Sequence, residues 1–298
     1  MRAVTRRALR GQMRERSKTL AKKLIDPAVS LGEHPASIAQ LVAWRTRYAA
    51  LSRGLPLTNN DRRINAYRDR HAGGRVWVIG NGPSIKHTDL SHLRDEVTIG
   101  TNSIFLNYEN MGFYPSHYVV EDYLVAEDRV DDIVALDGPT KWFGNYLRYC
   151  LPDMPDALWM NVSVDYYDTP DWPRFGRDLS RIAYVGGTVT YLCIQLAYFL
   201  GAVEVVVVGL DHSYVVEDDE APDTGNTIMS ERDDQNHFHP DYFGKGKRWH
   251  TPRVDRMERA YIRAREVFEA DGRRILNATK GGQLEVFPRV DYDRLVAS

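Results

Sequence analysis

Short apolar runs alternate with helical stretches from residue 75 onward. The runs predict strands at residues 76–79, 97–100, 118–120, 203–208 and 274–277. Between them, residues 188–200 and 253–270 have the spacing of a buried and an amphipathic helix. Strands that are apolar on both faces are typical of a parallel sheet covered by helices on both sides. The pattern predicts an α/β fold, a doubly wound, Rossmann-like, mostly parallel sheet, whose ligand lies at the carboxyl ends of the strands.

The first quarter of the chain has a different pattern. Residues 36–52 predict a short amphipathic helix, followed by a Gly-Leu-Pro break at 54–56 and a Gly-Gly link at 73–74. We therefore divide the chain into a basic, helical N-terminal extension, residues 1–72, and a Rossmann-like nucleotide-binding catalytic domain, residues 73–298. Within the second, residues 215–250 form a long polar stretch without an obvious element, which is typical of a lid or of a disordered connection. We favour a lid. We call it the lid segment.

Charge separates the same two parts. The 298-residue chain has a net charge of −2, yet residues 1–72 contain 16 Lys and Arg against 5 Asp and Glu, and the remainder contains 23 against 36. Residues 1–30 could be a solvated arm or a basic amphipathic helix that docks on an anionic membrane or partner. Nucleic acid is not expected, because the acidic body would repel phosphate. No apolar run is long enough to span a bilayer, so we expect a cytoplasmic protein with at most peripheral membrane contact.

Cysteine chemistry is not indicated. The chain has two cysteines, Cys150 and Cys193, without the spacing of a metal site. His237 and His239 are two residues apart, but no third ligand supports a metal pair, and we expect no bound metal.

Small polar residues follow two predicted strands. The first strand ends in Gly80, Asn81, Gly82, Pro83 and Ser84, where glycines allow a ligand close to the backbone and Ser84 could cap a helix or bind phosphate. The second ends before Asn102, which could bind a ribose, base or sugar. Neither signal is specific by itself, since a plain tight turn has the same composition.

Two further turns add polar groups to this edge. Gly186, Gly187 and Thr188 precede the buried helix and could receive an anion, although Thr188 could equally be only an N-cap. Asp211, His212 and Tyr214 follow the strongest strand, and a carboxylate, an imidazole and a phenol at one strand end indicate a candidate active site. The lid segment contributes Tyr242, Lys245, Lys247, Arg248 and His250.

This order of motifs resembles the 6-hydroxymethylpterin diphosphokinase MptE-like family. It is also similar to bacterial CMP-sialic acid-dependent sialyltransferases and to motility-associated factors that glycosylate flagellin. The resemblance covers residues 74–290 and rests on the turns at 80–84, 100–102, 186–188 and 209–211. Residues 241–250, 277–279 and 285–289 are similar to the bacterial branch of the MptE-like family in particular.

The resemblance implies roles for individual residues. The sialyltransferases contact the cytidine nucleotide through residues that match Asn81, Gly82, Ser84 and Asn102 and through a turn that matches residues 186–188. Tyr214 falls near their phosphate-binding tyrosine, and His250 corresponds to their general base, with His212 as a competing candidate. Ser213 is inserted relative to their spacing, and the segment before His250 is longer and more basic here.

Three functions follow. The favoured one is an inverting, metal-independent glycosyltransferase that uses a CMP-linked nonulosonic acid and a glycan or protein acceptor, in surface-glycan or flagellin glycosylation. The alternative is a diphosphokinase that binds ATP and Mg²⁺, with Asp211, Glu121 or Asp122 on the metal and Lys245, Lys247 and Arg248 on the pyrophosphate. The third is a non-catalytic nucleotide-binding scaffold.

Overall fold

A computed structural model describes residues 46, 49–51, 53–163, 171–215 and 227–297. The basic arm at residues 1–30, most of the predicted helix at 36–52 and the acidic start of the lid segment lie outside the described residues.

Eleven strands occur in this part of the chain. They are β1 (Arg75–Ile79), β2 (Thr98–Thr101), β3 (His117–Val120), β4 (Thr140–Gly144), β5 (Ala157–Met160), β6 (Val162–Ser163), β7 (Ala183–Tyr184), β8 (Glu204–Val208), β9 (Thr227–Met229), β10 (Arg248–His250) and β11 (Arg274–Asn277). Seven of them form one sheet in the order β11-β8-β1-β2-β3-β4-β5, and every neighbouring pair is parallel. The five predicted strands are all present, and β4 and β5 extend the sheet beyond them.

Helices cover both faces of this sheet. They are α1 (Asn59–Asn65), α2 (Tyr108–Met111), α3 (Tyr123–Asp128), α4 (Val130–Ala135), α5 (Val189–Phe199), α6 (Val254–Ala270) and α7 (Tyr292–Val296), together with 3₁₀ turns at Pro83–His87, Leu90–Leu93, Asn102–Asn107 and Asn145–Tyr149. None of the helices within the described ranges combines the length and the apolar character that crossing a bilayer requires.

Alternate side chains of each central strand enter opposite halves of the core. Val76 and Val78 of β1 pack with the buried residues of α5 and α6, whereas Trp77 and Ile79 pack against the other face, with Ile85, Leu93 and Ile133. A strand can be apolar on both sides only if both sides are covered, so the fold is the doubly wound, Rossmann-like α/β architecture that the pattern predicts.

The β5 edge of the sheet is closed by a side chain. Asn60 at the start of α1 donates from Nδ2 to the Trp159 carbonyl at 2.9 Å and accepts from the Trp159 N–H at 2.9 Å. The amide group therefore occupies the place of a neighbouring strand. An edge with satisfied backbone groups offers no template for another chain.

Strand order reverses between β1 and β8. From β1 the chain adds β2 to β5 on one side, and later it adds β8 and β11 on the other. In doubly wound sheets this switch point opens a crevice at the carboxyl ends of the two strands. The turns that follow β1 and β8 should therefore face each other across one crevice.

Candidate functional site

A cavity of about 390 Å³ lies at this switch point. Its walls come from the turns after β1, β2, β3, β4 and β8, the first turns of α5 and α6, and the hairpin that ends in β10. The predicted site residues that line it are Gly80, Asn81, Gly82, Asn102, Gly187, Thr188, Asp211, His212, Tyr214, Tyr242 and His250. Topology thus brings together residues that are as much as 170 positions apart in the printed sequence.

The turn after β1 is built against the turn after β8. The Gly80 N–H donates to the Val208 carbonyl at 2.8 Å, and the Gly82 N–H donates to the Gly209 carbonyl at 2.9 Å. A Cβ at Gly82 would lie 1.9 Å from Oδ2 of Asp211. Position 82 therefore requires glycine because the Asp211 side chain, and not only a ligand, lies against the backbone there.

Asp211 is held by Ser84. The Ser84 hydroxyl donates to Asp211 Oδ2 at 2.7 Å, and the Ser84 N–H donates to Oδ1 at 3.1 Å. Ser84 is buried and does not line the cavity. The expectation that Ser84 is available to bind phosphate is therefore not met, because Asp211 occupies both of its donors.

Asn81 keeps an acceptor available for a ligand. Its Nδ2 donates to the Thr101 hydroxyl at 2.7 Å and to the Thr101 carbonyl at 3.2 Å. Its buried Oδ1 has no hydrogen-bond partner within the described part of the chain. A fixed amide oxygen at the cavity wall suits a ligand that donates a hydrogen bond, such as a base amino group or a ribose hydroxyl, rather than a phosphate.

Two non-glycine residues in the walls have a left-handed backbone. Asn102 has φ = 47° and His212 has φ = 54°. Asn102 lies beside the buried phenol of Tyr242. Left-handed histidine is uncommon and costs on the order of 1–2 kcal/mol, so the surrounding contacts must enforce it. Such enforced conformations cluster at ligand sites, which supports a functional cavity.

Three histidines of the cavity wall each face a carboxylate. His250 Nε2 lies 3.5 Å from Asp122 Oδ1, His237 Nδ1 lies 2.7 Å from Asp234 Oδ2, and His212 Nε2 lies 3.4 Å from Glu258 Oε1. An imidazole beside a carboxylate can accept a proton with the resulting charge stabilised. The cavity therefore has the parts for general acid–base chemistry.

The environments of the three pairs differ. Burial lowers the pKa of His212, and Glu258 opposes that shift. Burial would raise the pKa of Asp234, but hydrogen bonds from His237 and from backbone N–H groups lower it overall. Asp122 also caps α3 by accepting from the Leu124 N–H at 2.8 Å, which fixes its carboxylate in front of His250.

The first turn of α5 places a helix N-terminus on the cavity wall. Gly187 has φ = 77°, and Thr188 accepts from the Thr190 N–H as the N-cap. Arg253 and Arg256, at the start of α6, line the same cavity. Helix N-termini and arginines favour anions, so this wall suits a phosphate. Sequence reasoning missed both arginines, which only the approach of α6 to α5 brings to the cavity.

Gly186 does not line the cavity. A Cβ there would lie 2.3 Å from Cδ1 of Tyr191 and 2.9 Å from Cβ of Ala260. Gly186 packs between α5 and α6, and the structure does not bring it to the cavity with Gly187 and Thr188.

The three expected cations of the lid segment do not line the cavity. Lys245 is exposed, and neither Lys245, Lys247 nor Arg248 lines the cavity. Arg248 binds Glu127 at 2.8 Å and Asp128 at 2.5 Å. The clamp expected from these three cations is therefore absent, because Arg248 anchors β10 to α3.

The described part of the lid segment, residues 227–250, is a packed wall. β9 and β10 form an antiparallel hairpin, and the Phe238 N–H donates to the Asn81 carbonyl at 2.9 Å. His237 stacks on the buried Tyr242 with ring centroids 4.0 Å apart. His239 accepts from the Asp241 N–H and does not line the cavity, so it does not form a pair with His237. Within the described residues no group of three potential ligands could hold a metal.

Comparison of the chain with protein-family models, curated proteins and solved structures returned no match.

Proposed function

We propose that the protein is a glycosyltransferase that uses a nucleotide-activated sugar, a CMP-linked nonulosonic acid, and transfers the sugar with inversion to a hydroxyl of a glycan or protein acceptor. The observation that carries the proposal is the His250–Asp122 pair on the wall of a cavity at the switch point of the sheet. The resemblance to sialyltransferases supplies the expected donor class.

Different walls of the cavity suit the three parts of the donor, which are the nucleoside, the phosphate and the sugar. Asn81 and Asn102 suit the nucleoside, because Asn81 Oδ1 is a buried acceptor. The first turn of α5, with Arg256 opposite, suits the phosphate. The sugar then extends toward His250, where the acceptor hydroxyl enters.

Transfer needs one proton acceptor and one anion site. His250 takes the proton of the acceptor hydroxyl as its oxygen bonds to the anomeric carbon, and Asp122 stabilises the imidazolium that forms. The bond between the anomeric carbon and the phosphate oxygen breaks, and the nucleoside monophosphate leaves with the electron pair. Donors at the start of α5 and the Tyr214 hydroxyl stabilise the phosphate charge.

The test is the kinetics of His250→Ala with a CMP-linked nonulosonic acid as donor. We expect turnover to fall by at least about 10²-fold while the KM of the donor stays nearly constant, because a general base acts in the transition state. Asp122→Asn retains a helix cap and removes the charge, so it should lower turnover less.

His239→Ala is the matched control, since His239 lies in the same segment but outside the cavity. It should keep normal turnover. Normal turnover in His250→Ala together with loss in His212→Ala would instead assign the base to the turn after β8.

The diphosphokinase remains the second candidate because Glu121 and Asp122 lie side by side on the cavity wall. The third expected metal ligand, Asp211, already accepts hydrogen bonds from Ser84, which weakens the fit to a Mg²⁺ site. Excess EDTA separates the two candidates. Activity that persists supports the transferase, and complete loss restored by Mg²⁺ would replace it by the kinase.

A further inference from the structure

Three carboxylates at the amino-terminal edge of the sheet each face two arginines. Glu204 binds Arg75 and Arg274, both at 2.5 Å. Asp178 binds Arg68 at 2.6 Å and Arg181 at 3.2 Å. Asp271 binds Arg177. Hydrogen bonds from Tyr198 and Arg177 lower the pKa of Asp271, and the nearby charge of Arg273 adds a smaller effect in the same direction. We call these six arginines the arginine face.

One short segment joins the three clusters. Tyr198 and Phe199 end α5, and Val203 lies in the turn from α5 to β8. Arg273 stacks over the Tyr198 ring at 4.2 Å, and Arg68 stacks over Phe199 at 5.2 Å. The Arg274 N–H donates to the Val203 carbonyl at 3.0 Å. The arginine face is therefore continuous around this turn.

The face has an excess of positive charge, with six guanidinium groups against three carboxylates. Arg274, Arg181 and Arg177 expose 69%, 50% and 49% of their side chains. If the more exposed arginine of each cluster binds elsewhere, Glu204 keeps Arg75 and Asp178 keeps Arg68. Asp271 then keeps the hydrogen bond from the Tyr198 hydroxyl. The exposed arginines can therefore turn to an external anion without leaving any of these carboxylates unpartnered.

Exposed apolar side chains lie among these arginines. Val203, in the same turn, is 43% exposed. Leu55 is 57% exposed and adjoins Gly54, where a Cβ would lie 2.9 Å from Nη2 of Arg181. A lipid interface accommodates guanidinium groups at the headgroups and apolar side chains just below them, whereas a nucleic acid offers phosphates without an apolar layer.

We propose that the arginine face docks on an anionic lipid bilayer. The face lies at the amino ends of strands of about five residues, roughly 15 Å from their carboxyl ends. The cavity then opens away from the bilayer. This inference does not depend on the proposed function, since none of the six arginines lines the cavity.

The experiment measures binding of the full chain to vesicles. The triple variant Arg177→Gln, Arg181→Gln, Arg274→Gln removes one arginine from each cluster. Glu204 and Asp178 keep one ion-paired arginine each, and Asp271 keeps the hydrogen bond from the Tyr198 hydroxyl. Vesicles of phosphatidylcholine with phosphatidylglycerol are compared with pure phosphatidylcholine by co-sedimentation. We expect the wild type to bind only the anionic vesicles and the triple variant to bind them about 100-fold more weakly, since one arginine near the surface contributes about fivefold.

The matched control is Lys86→Gln, Arg148→Gln, Arg263→Gln, which removes the same charge from exposed positions elsewhere. It should bind like the wild type, and circular dichroism should be the same for all three proteins. Wild-type affinity in the triple variant, or equal losses in the control, would overturn the proposal. Loss of binding to single-stranded RNA with unchanged vesicle binding would instead assign the face to nucleic acid.

Discussion

At position 82 the absence of a side chain lets two loops share one small space. The Asp211 carboxylate lies where a Cβ of residue 82 would be, and it accepts both Ser84 donors. The turn after β1 and the turn after β8 are therefore held together by a polar contact in addition to backbone hydrogen bonds. The glycines of this loop are explained by the fold itself, whatever the ligand.

We predict that Gly82→Ala and Asp211→Ala are strongly non-additive. In the wild-type background Gly82→Ala should lower the free energy of unfolding by about 1–3 kcal/mol, because the new methyl group displaces the carboxylate from Ser84. With alanine at 211 the same change should cost less than about 0.5 kcal/mol. Urea unfolding of the four proteins measures the coupling. Additive costs would mean that the carboxylate does not occupy this position.

A second residue-scale consequence concerns His117, which is buried at the start of β3. Its Nδ1 accepts from the Trp142 indole N–H at 3.1 Å. Burial lowers the pKa of His117 to about 3, with smaller contributions from His71 and Arg70. Between that value and the ordinary value near 6.5, the unfolded chain binds a proton that the folded chain does not. This part of the stability is therefore present above pH 6.5 and lost as the pH falls toward 3.

We predict that His117→Asn reduces the acid sensitivity of the fold. The loss in unfolding free energy between pH 7 and pH 5 should shrink by about 2 kcal/mol, since asparagine can still accept from Trp142 but does not titrate. Urea unfolding at both pH values gives the difference. His87→Asn, at an exposed position, is the control and should leave the difference unchanged.

At the scale of elements, Arg248 decides how the β9–β10 hairpin sits. Its guanidinium joins Glu127 and Asp128 at the end of α3, and its N–H donates to Asp128 at 3.0 Å. Arg129 donates to the Tyr242 carbonyl from the other side. The hairpin is thus fixed to α3, and this attachment brings His250 to Asp122.

We predict that Arg248→Met lowers the free energy of unfolding by about 3–5 kcal/mol, because it leaves two partly or fully buried carboxylates without their cation. Arg248→Lys should recover part of the loss. Lys245→Met, at an exposed position in the same segment, should have no effect. Thermal and urea unfolding measure stability, and donor KM is measured in parallel. A raised donor KM at unchanged stability in Arg248→Met would contradict this prediction and would mean that Arg248 contacts the ligand.

Whether a strand could be predicted depends on the residues it contains. The apolar, Val-rich runs of β1 and β8 predict buried strands, and the polar turns at their carboxyl ends predict the position of the cavity. β4 contains Lys141, which is 2% exposed because its ammonium donates to the Leu136 carbonyl and pairs with Asp156 at 2.9 Å. The sequence alone does not show that Lys141 has these partners. Since an unpartnered lysine is not expected inside a sheet, its presence favours a loop over a strand. β5 has no β-branched residue and carries an equally weak signal.

The same limit applies to the site. Asn81 and Asp211 could be identified because each follows a strand with a clear pattern, whereas His250 was singled out through the family resemblance. Asp122 was expected only as a metal ligand of the diphosphokinase, and its place beside His250 depends on the packing of β10 against α3. Arg253 and Arg256 could not be assigned, since they reach the cavity only through the packing of α6. Conversely, Ser84 and Gly186 are residue types that could contact a ligand, but both are engaged by other parts of the protein. Ser84 donates to Asp211, and Gly186 allows close packing between α5 and α6. Motif spacing identifies the strand ends, and side-chain partners decide which groups remain for a ligand.

At the scale of the whole molecule, the parallel sheet separates two surface features by direction. Its carboxyl edge gathers the cavity, and its amino edge gathers the arginine face. The lining residues within the described part of the chain run from Gly80 to Tyr261, and all of them belong to the second of the two predicted regions.

We therefore predict that deletion of residues 1–30 leaves ligand binding intact. CMP at 100 times its dissociation constant should stabilise the deleted protein by about 2.7 kcal/mol, the same amount that we expect for the full chain, because stabilisation depends only on affinity for the folded cavity. Thermal shift in the presence and absence of CMP measures it. Binding to anionic vesicles at low salt should weaken on deletion, since nine basic residues lie in the first 30. The vesicle binding that remains after the deletion should be lost when the triple arginine variant is combined with it. A deleted protein that no longer responds to CMP would mean that the arm completes the cavity, and the boundary between the two regions at residue 72 would then have to be abandoned.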